Sequence, residues 1–238
     1  RRIAFLTIAL GLWLAEPLAW AADEAKVERL AGECTAGKAN ACRELARIAS
    51  TDNDWYLRRF AVKRLTDQTV LARIATTDPD DRVREAAVGR LTGQDPALLA
   101  AIARTDADED VREAAVWKIY DQSVLADVAK TARDQKIRWI ALDNLIHPDQ
   151  ALLAEIATSG EALWLRKAAL RKLTDPMILA RLIQTDLDEE AYQIVQEKLT
   201  DPPTLADLAR TAGKPHVRRF AAAKVTDPIV LSEIARTD

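Results

Sequence analysis

The chain has 238 residues, 49% of them hydrophobic and 30% charged, with a net charge of -3. That length and apolar content suffice for a sizeable buried core without a metal or a disulfide framework. The near balance of charge lacks the basic surplus that nucleic-acid binding needs, so no nucleic acid is expected as a partner.

Residues 1–21 stand apart. Arg1 and Arg2 precede an apolar run from Ile3 to Leu14, and Pro17 and the triplet Ala19-Trp20-Ala21 follow. This order of charge, apolar run and small residues is that of a secretory signal peptide. The run is shorter than the about 20 apolar residues of a permanent spanning helix, and an uncleaved anchor is the alternative. A periplasmic or secreted location is therefore expected, with no stable membrane insertion after cleavage. Loss of Arg1, Arg2 and Glu16 would move the net charge from -3 to -4.

Residues 22–52 read as an N-terminal capping hairpin. Val27 to Cys34 forms one predicted helix and Ala41 to Ser50 the next, around the turn Thr35-Ala36-Gly37-Lys38. Cys34 and Cys42 are the only cysteines. In an oxidising compartment such a pair is expected to bridge. Redox or metal chemistry would need a Cys-x-x-Cys spacing or added His ligands, which the segment lacks.

From there to residue 238 the chain repeats. Leu recurs at 45, 71, 99, 125, 153, 179, 205 and 231, with steps of 26 or 28 residues. A fixed period of this size marks an array in which each unit covers its neighbour's apolar face. The Leu and the third and fourth positions after it are apolar, as in Leu71, Ile74, Ala75 and Leu153, Ile156, Ala157. That spacing is one face of a short helix. Asp stands four residues before the Leu at 67, 95, 121, 149, 175, 201 and 227, where a carboxylate caps the first turn. Pro96, Pro176, Pro202 and Pro228 take the first helical position, where no N–H is needed.

A second helix is predicted in every unit, apolar at positions 12, 15, 16 and 20 after the Leu. Position 16 is Ala61, Ala87, Ala115, Ala141, Ala169 and Ala221, small enough for close helix approach, with Val195 the exception. Thr-Asp at 51–52, 77–78, 105–106 and 185–186 reads as its cap, with Asp78-Pro79 repeating the cap-plus-proline pattern. The longer units insert Gly93-Gln94 and His147-Pro148 in turns, and alternating strand patterns are missing.

The run Asp80-Asp81-Arg82-Val83-Arg84-Glu85-Ala86-Ala87 and its counterpart from Asp108 to Ala115 resemble HEAT-like repeats, and the short unit resembles the related variant leucine-rich repeats. The resemblance covers residues 45–238. It implies an all-α, armadillo-like fold: a right-handed superhelical solenoid of about seven two-helix repeats, here spanning residues 53–238. The family's ladder Arg maps onto Arg58, Arg84, Arg112, Arg138, Arg166 and Arg218, with Tyr192 breaking the column. Each ladder Arg is expected to meet an Asp of its own or the adjacent unit, with Asp54, Asp80, Asp108, Asp134 and Asp188, four residues earlier, at the distance of a helical pair, although an anion-binding stripe is a rival use of the Arg column.

No catalytic, cofactor or metal site is expected. His147 and His216 lie two to three units apart without a second His or a Cys nearby, and the seven Gly are scattered. Positions 11, 14 and 18 after the Leu vary between units and share one stripe of the second helix. Trp117, Trp139 and Trp164 fall on this stripe in three consecutive units, flanked by Lys136, Lys167, Arg171 and Asp143. Two readings stay open: a patch that binds another protein, since Trp and Arg dominate interface energies, or Trp residues filling grooves between helices. The expected function is a non-catalytic protein-interaction scaffold. The alternatives are a lyase-like or enzyme-accessory repeat protein and a structural spacer in an envelope assembly. Leu231, Ile234 and Ala235 keep the interior pattern in the last predicted helix, which makes end-to-end self-association a further expectation.

Overall fold

A computed structural model describes residues 21–237 apart from Gln94, Gly160 and Glu161, so all but the last residue of the signal-peptide reading lies outside the described residues. The first compact unit ends at Val124. In it, residues 21–35 form α1, followed by α2 (Ala39–Thr51), α3 (Trp55–Val62), α4 (Gln68–Thr77), α5 (Asp81–Arg90), α6 (Pro96–Thr105) and α7 (Glu109–Trp117). Next comes α8 (Gln122–Thr131), and the second unit begins at Leu125 in its first turn. The second unit contains α9 (Gln135–Asp143), α10 (Gln150–Thr158), α11 (Leu163–Lys172), α12 (Pro176–Leu182), α13 (Glu189–Lys198), α14 (Pro202–Thr211), α15 (Pro215–Lys224) and α16 (Pro228–Thr237). The described residues contain helices and turns and no strand.

Helices pack in pairs, and the pairs stack. In the first unit α2 packs on α3, α4 on α5 and α6 on α7, while α5 lies against both α3 and α7. In the second unit α10 packs on α11, α12 on α13 and α14 on α15, with α11 against both α9 and α13. Cys34 and Cys42 form the expected disulfide, which ties the end of α1 to the start of α2.

The seven Asp caps act as the sequence predicts. Asp67, Asp95, Asp121, Asp149, Asp175, Asp201 and Asp227 each accept a backbone N–H from the first turn that follows. The Ser123 and Thr204 hydroxyls, helped by those N–H groups, hold the Asp121 and Asp201 carboxyls below the usual range.

Two expectations about the second helices need correction. The Thr-Asp pairs do not cap them. The caps are Asp54, Asp80, Asp108, Asp134 and Asp188, two residues further on. Asp78 and Pro79 accordingly lie ahead of α5. Of the two expected kinds of ladder partner, the first two Arg take an Asp of the adjacent unit and not the cap residue four positions earlier. Arg58 Nε and Nη2 donate to Asp78 at 2.8 and 2.8 Å, and Arg84 Nε and Nη2 to Asp106 at 2.9 and 2.8 Å. Asp78 and Asp106 close the first helix of the following unit, and each also accepts the N–H of the next cap residue, Asp80 or Asp108. One carboxylate thus shapes a turn and receives a bidentate guanidinium. The remaining Arg nitrogen, Nη1, bonds the carbonyls of Asp52 and Asp78 respectively at 2.9 and 3.0 Å.

The second correction concerns the buried face. Position 17 is buried in five repeats (Val62, Val88, Val116, Leu142, Leu170) and half-buried at Gln196 and Ala222, whereas at position 15 Phe60, Ala86, Ala114 and Ala168 are only half-buried and Ile140 alone is fully buried. At about 3.6 residues per turn, positions 12, 16 and 17 bracket position 13, where the ladder Arg stands. The Arg lies inside the buried arc, and its polar atoms are satisfied there. An apolar-only reading of the helix is therefore pushed round toward position 15.

The Arg column does not simply stop at Tyr192. The acceptor Asp186 receives Lys214 Nζ at 2.7 Å, and Lys214 also bonds the Thr185 carbonyl at 3.0 Å. This pair joins adjacent repeats with the direction of charge reversed, and the Lys214 ammonium holds the Asp186 carboxyl low.

Candidate partner-binding surface

The constant positions of each repeat are consumed by packing, caps and ladder. The variable stripe of the second helices is what remains available for recognition. In the first unit Trp117 ends α7, half-exposed at 51%, with its Nε1 on Glu113 at 3.3 Å. The same stripe there carries the carboxylates of Glu85 and Asp110.

In the second unit α9 and α11 lie side by side. Trp139 on α9 is 38% exposed and Trp164 on α11 is 44% exposed, with Leu163 beside it 39% exposed. Lys136 and Arg171 are exposed on the same two helices. Partial cover comes with substantial open ring surface, which is unlike a side chain that merely fills a groove. The surface is apolar and aromatic with a cationic rim, a composition suited to an anchor residue from another protein.

Lys167 does not belong to that rim. Its side chain is only 14% exposed and its ammonium pairs with Glu190 on α13. Asp143 is occupied as well: Lys172 Nζ donates to its carbonyl at 2.8 Å and lies 4.0 Å from its carboxylate. Both act between repeats.

His216 faces the Tyr192 ring at 5.7 Å between centroids, and His147 sits in the turn before α10. Among the described residues no three His, Cys, Asp or Glu side chains gather as metal ligands would.

A second basic column escaped the sequence reading. Position 19 after the Leu is Arg64, Arg90, Lys118, Lys172, Lys198 and Lys224, with Asn144 the exception. Arg90 donates to the Leu65 carbonyl, Lys118 to Leu91, Lys172 to Leu145, Lys198 to Arg171 and Lys224 to Leu199. Each cation reaches back to the carbonyl-rich end of the preceding second helix, where positive charge is favoured. Its recurrence at a fixed position was the available signal. Two glutamines add further links: Gln68 accepts the Thr92 N–H at 2.9 Å, and Gln150 the Thr174 N–H at 2.7 Å.

Among the described residues no helix is long and apolar enough to cross a membrane. Compared with known proteins, the chain matches no family model, and no curated protein matches it.

Proposed function

We propose that this chain is an exported, non-catalytic scaffold that holds another protein on the variable stripe of its second helices. In this reading the helix pairs are HEAT-like repeats wound as a right-handed solenoid of about seven units, and the protein works in the periplasm or outside the cell. One observation carries the reading. Trp139 and Trp164 occupy non-repeating positions on adjacent helices and stay 38% and 44% exposed, while the repeating positions are spent on the fold. The disulfide between Cys34 and Cys42 supports an oxidising location.

The test is crosslinking of the mature protein in its native envelope, with identification of what it captures, followed by Trp139→Ala combined with Trp164→Ala. Capture of a defined protein is expected to fall by about tenfold or more, as loss of a central aromatic anchor does. Helicity and melting temperature should stay close to wild type. A large drop in melting temperature with capture unchanged would assign the two Trp to packing and end the proposal for this surface.

A further inference from the structure

The outward face of α3 in the first unit carries a feature that neither the repeat nor the Trp surface uses. Tyr56, Arg59, Phe60, Lys63 and Arg64 line a cleft of about 320 Å³, roomy enough for an oxyanion and the group that carries it. The Tyr56 and Phe60 rings stack at 6.2 Å and form its wall. Arg64 is already fixed in place. Its guanidinium lies 3.6 Å from the Phe60 ring centre, its Nη1 bonds the Phe60 carbonyl at 3.1 Å, and its Nη2 meets Glu28 of α1. Glu24 of α1 takes the Tyr56 hydroxyl at 2.7 Å. Both nearby carboxylates of α1 are therefore engaged, and neither meets Arg59 or Lys63.

Arg59 and Lys63 stand one helical turn apart on the same face, a like-charge pair that costs a helix a few tenths of a kcal/mol. Among the described residues neither side chain has a hydrogen bond or ion pair, and the Nε atoms of Arg59 and Arg64 are shielded from solvent without an acceptor. The contrast with the adjacent Arg58, whose Nε and Nη2 both meet Asp78, shows that α3 does not leave every guanidinium unmatched. The uncompensated positive charge of Arg59 and Lys63 beside an aromatic wall makes a receptor for an oxyanion next to a flat or apolar group.

We propose that the cleft between Arg59 and Lys63 on α3 is an oxyanion-binding site that takes a carboxylate or phosphate group. The site is separate from the Trp surface, so either assignment can fail alone.

The experiment is a titration of the full mature chain, followed by backbone amide NMR shifts. One arm uses inorganic phosphate and the other a short peptide with two adjacent Glu residues. Saturable shifts confined to Tyr56–Arg64 are expected in at least one arm. Saturation by phosphate alone identifies a free-phosphate site, and saturation by the peptide alone identifies a partner's carboxylate. Arg59→Gln with Lys63→Gln should weaken binding by about tenfold, the value of one charge-assisted hydrogen bond, whereas Arg210→Gln on α14, outside both surfaces, should leave it unchanged. If the double variant fails to fold, Lys63→Gln alone, at an exposed residue, should still weaken binding about threefold. No saturable shift in either arm, or equal shifts in wild type and the Lys63→Gln chain, would overturn the proposal.

Discussion

The two compact units repeat one helical register but join their repeats with different chemistry. In the first unit the ladder is made of matched parts. Arg58 with Asp78 and Arg84 with Asp106 are bidentate pairs that solvent barely reaches, with side-chain exposures of 9% and 3% for the first. In the second unit position 7 carries Ala132 and Ala212 where the first has Asp52, Asp78 and Asp106. Arg166 instead turns to Asp188, a helix cap, in a pair exposed to 28% and 34%, and its Nε has no acceptor. Asp186 is served by a lysine from the following repeat. Stacking survives in both units because it rests on Leu and Ala columns buried in each. The ladder is an addition to that packing, and its worth depends on burial.

That contrast is easiest to break at Arg58. Arg58→Ala strands the Asp78 carboxylate in a buried site, which should destabilise the first unit by about 3 kcal/mol or more. Arg166→Ala removes a half-buried pair with more solvent access than the Arg58 pair and should cost about 1 kcal/mol. Hydrogen exchange resolves the two, with protection lost in α3–α5 for the first variant and nearly retained in α11–α13 for the second. Equal losses would mean that burial does not set the value of a rung. The disulfide gives the next largest effect. Replacing Cys34 and Cys42 by Ala reopens a loop of sequence separation 8 and should destabilise the N-terminal hairpin by about 2–3 kcal/mol. Amide protection in α10–α16 should not change.

Much of this was legible beforehand. The Leu period located the first helices and their Asp caps, because both depend on local spacing and capping chemistry. The face of the second helices was misjudged because Arg58, Arg84 and their equivalents sit inside the buried arc, and hydrophobicity counts an Arg as exposed wherever it stands. The acceptors Asp78 and Asp106 were mistaken for caps, since Thr-Asp ahead of a helix resembles a cap until the chain shows two more residues of turn. Lys167 was placed on the binding rim, yet Glu190 of the next repeat covers it. That pairing depends on which residues stacking brings together, and a single repeat does not contain the information. Trp139 and Trp164 were identified as variable positions, but only packing separates an exposed ring from a covered one.

Acid sharpens the comparison further. Burial alone would raise the Asp106 carboxyl, but hydrogen bonds from Arg84 and the Asp108 N–H, with the charges of Arg84 and Arg112, hold it below the ordinary aspartate range. A carboxyl lowered in the folded state contributes stability that is full above its unfolded pKa and fades as pH falls through the lowered value. The Arg84 rung should therefore persist at neutral pH and weaken only in strong acid. Asp106→Asn should be less stable than wild type near neutral pH, with the gap closing as pH falls. A gap that widened in acid would mean that the folded carboxyl titrates above its unfolded value.

The smallest effect is expected at position 19, where both units carry the same device. Lys118 reaches Leu91 in the first unit, and Lys172 and Lys198 reach Leu145 and Arg171 in the second. Each acceptor is a carbonyl at the end of a helix, which is present whatever side chain stands there. This contact therefore does not depend on a matching acidic residue in the next repeat, and drift such as Ala132 or Ala212 leaves it intact. Lys118→Met and Lys172→Met keep most of the apolar stem and remove only the charge at the helix end. Each should cost about 0.3–1 kcal/mol, and the two costs should agree within that range. Thermal melts of the two variants, read beside Arg58→Ala and Arg166→Ala, would show whether contacts to backbone hold both units alike while contacts between side chains set them apart. A loss at Lys118 several times that at Lys172 would show instead that the basic column, like the Arg ladder, has weakened along the chain.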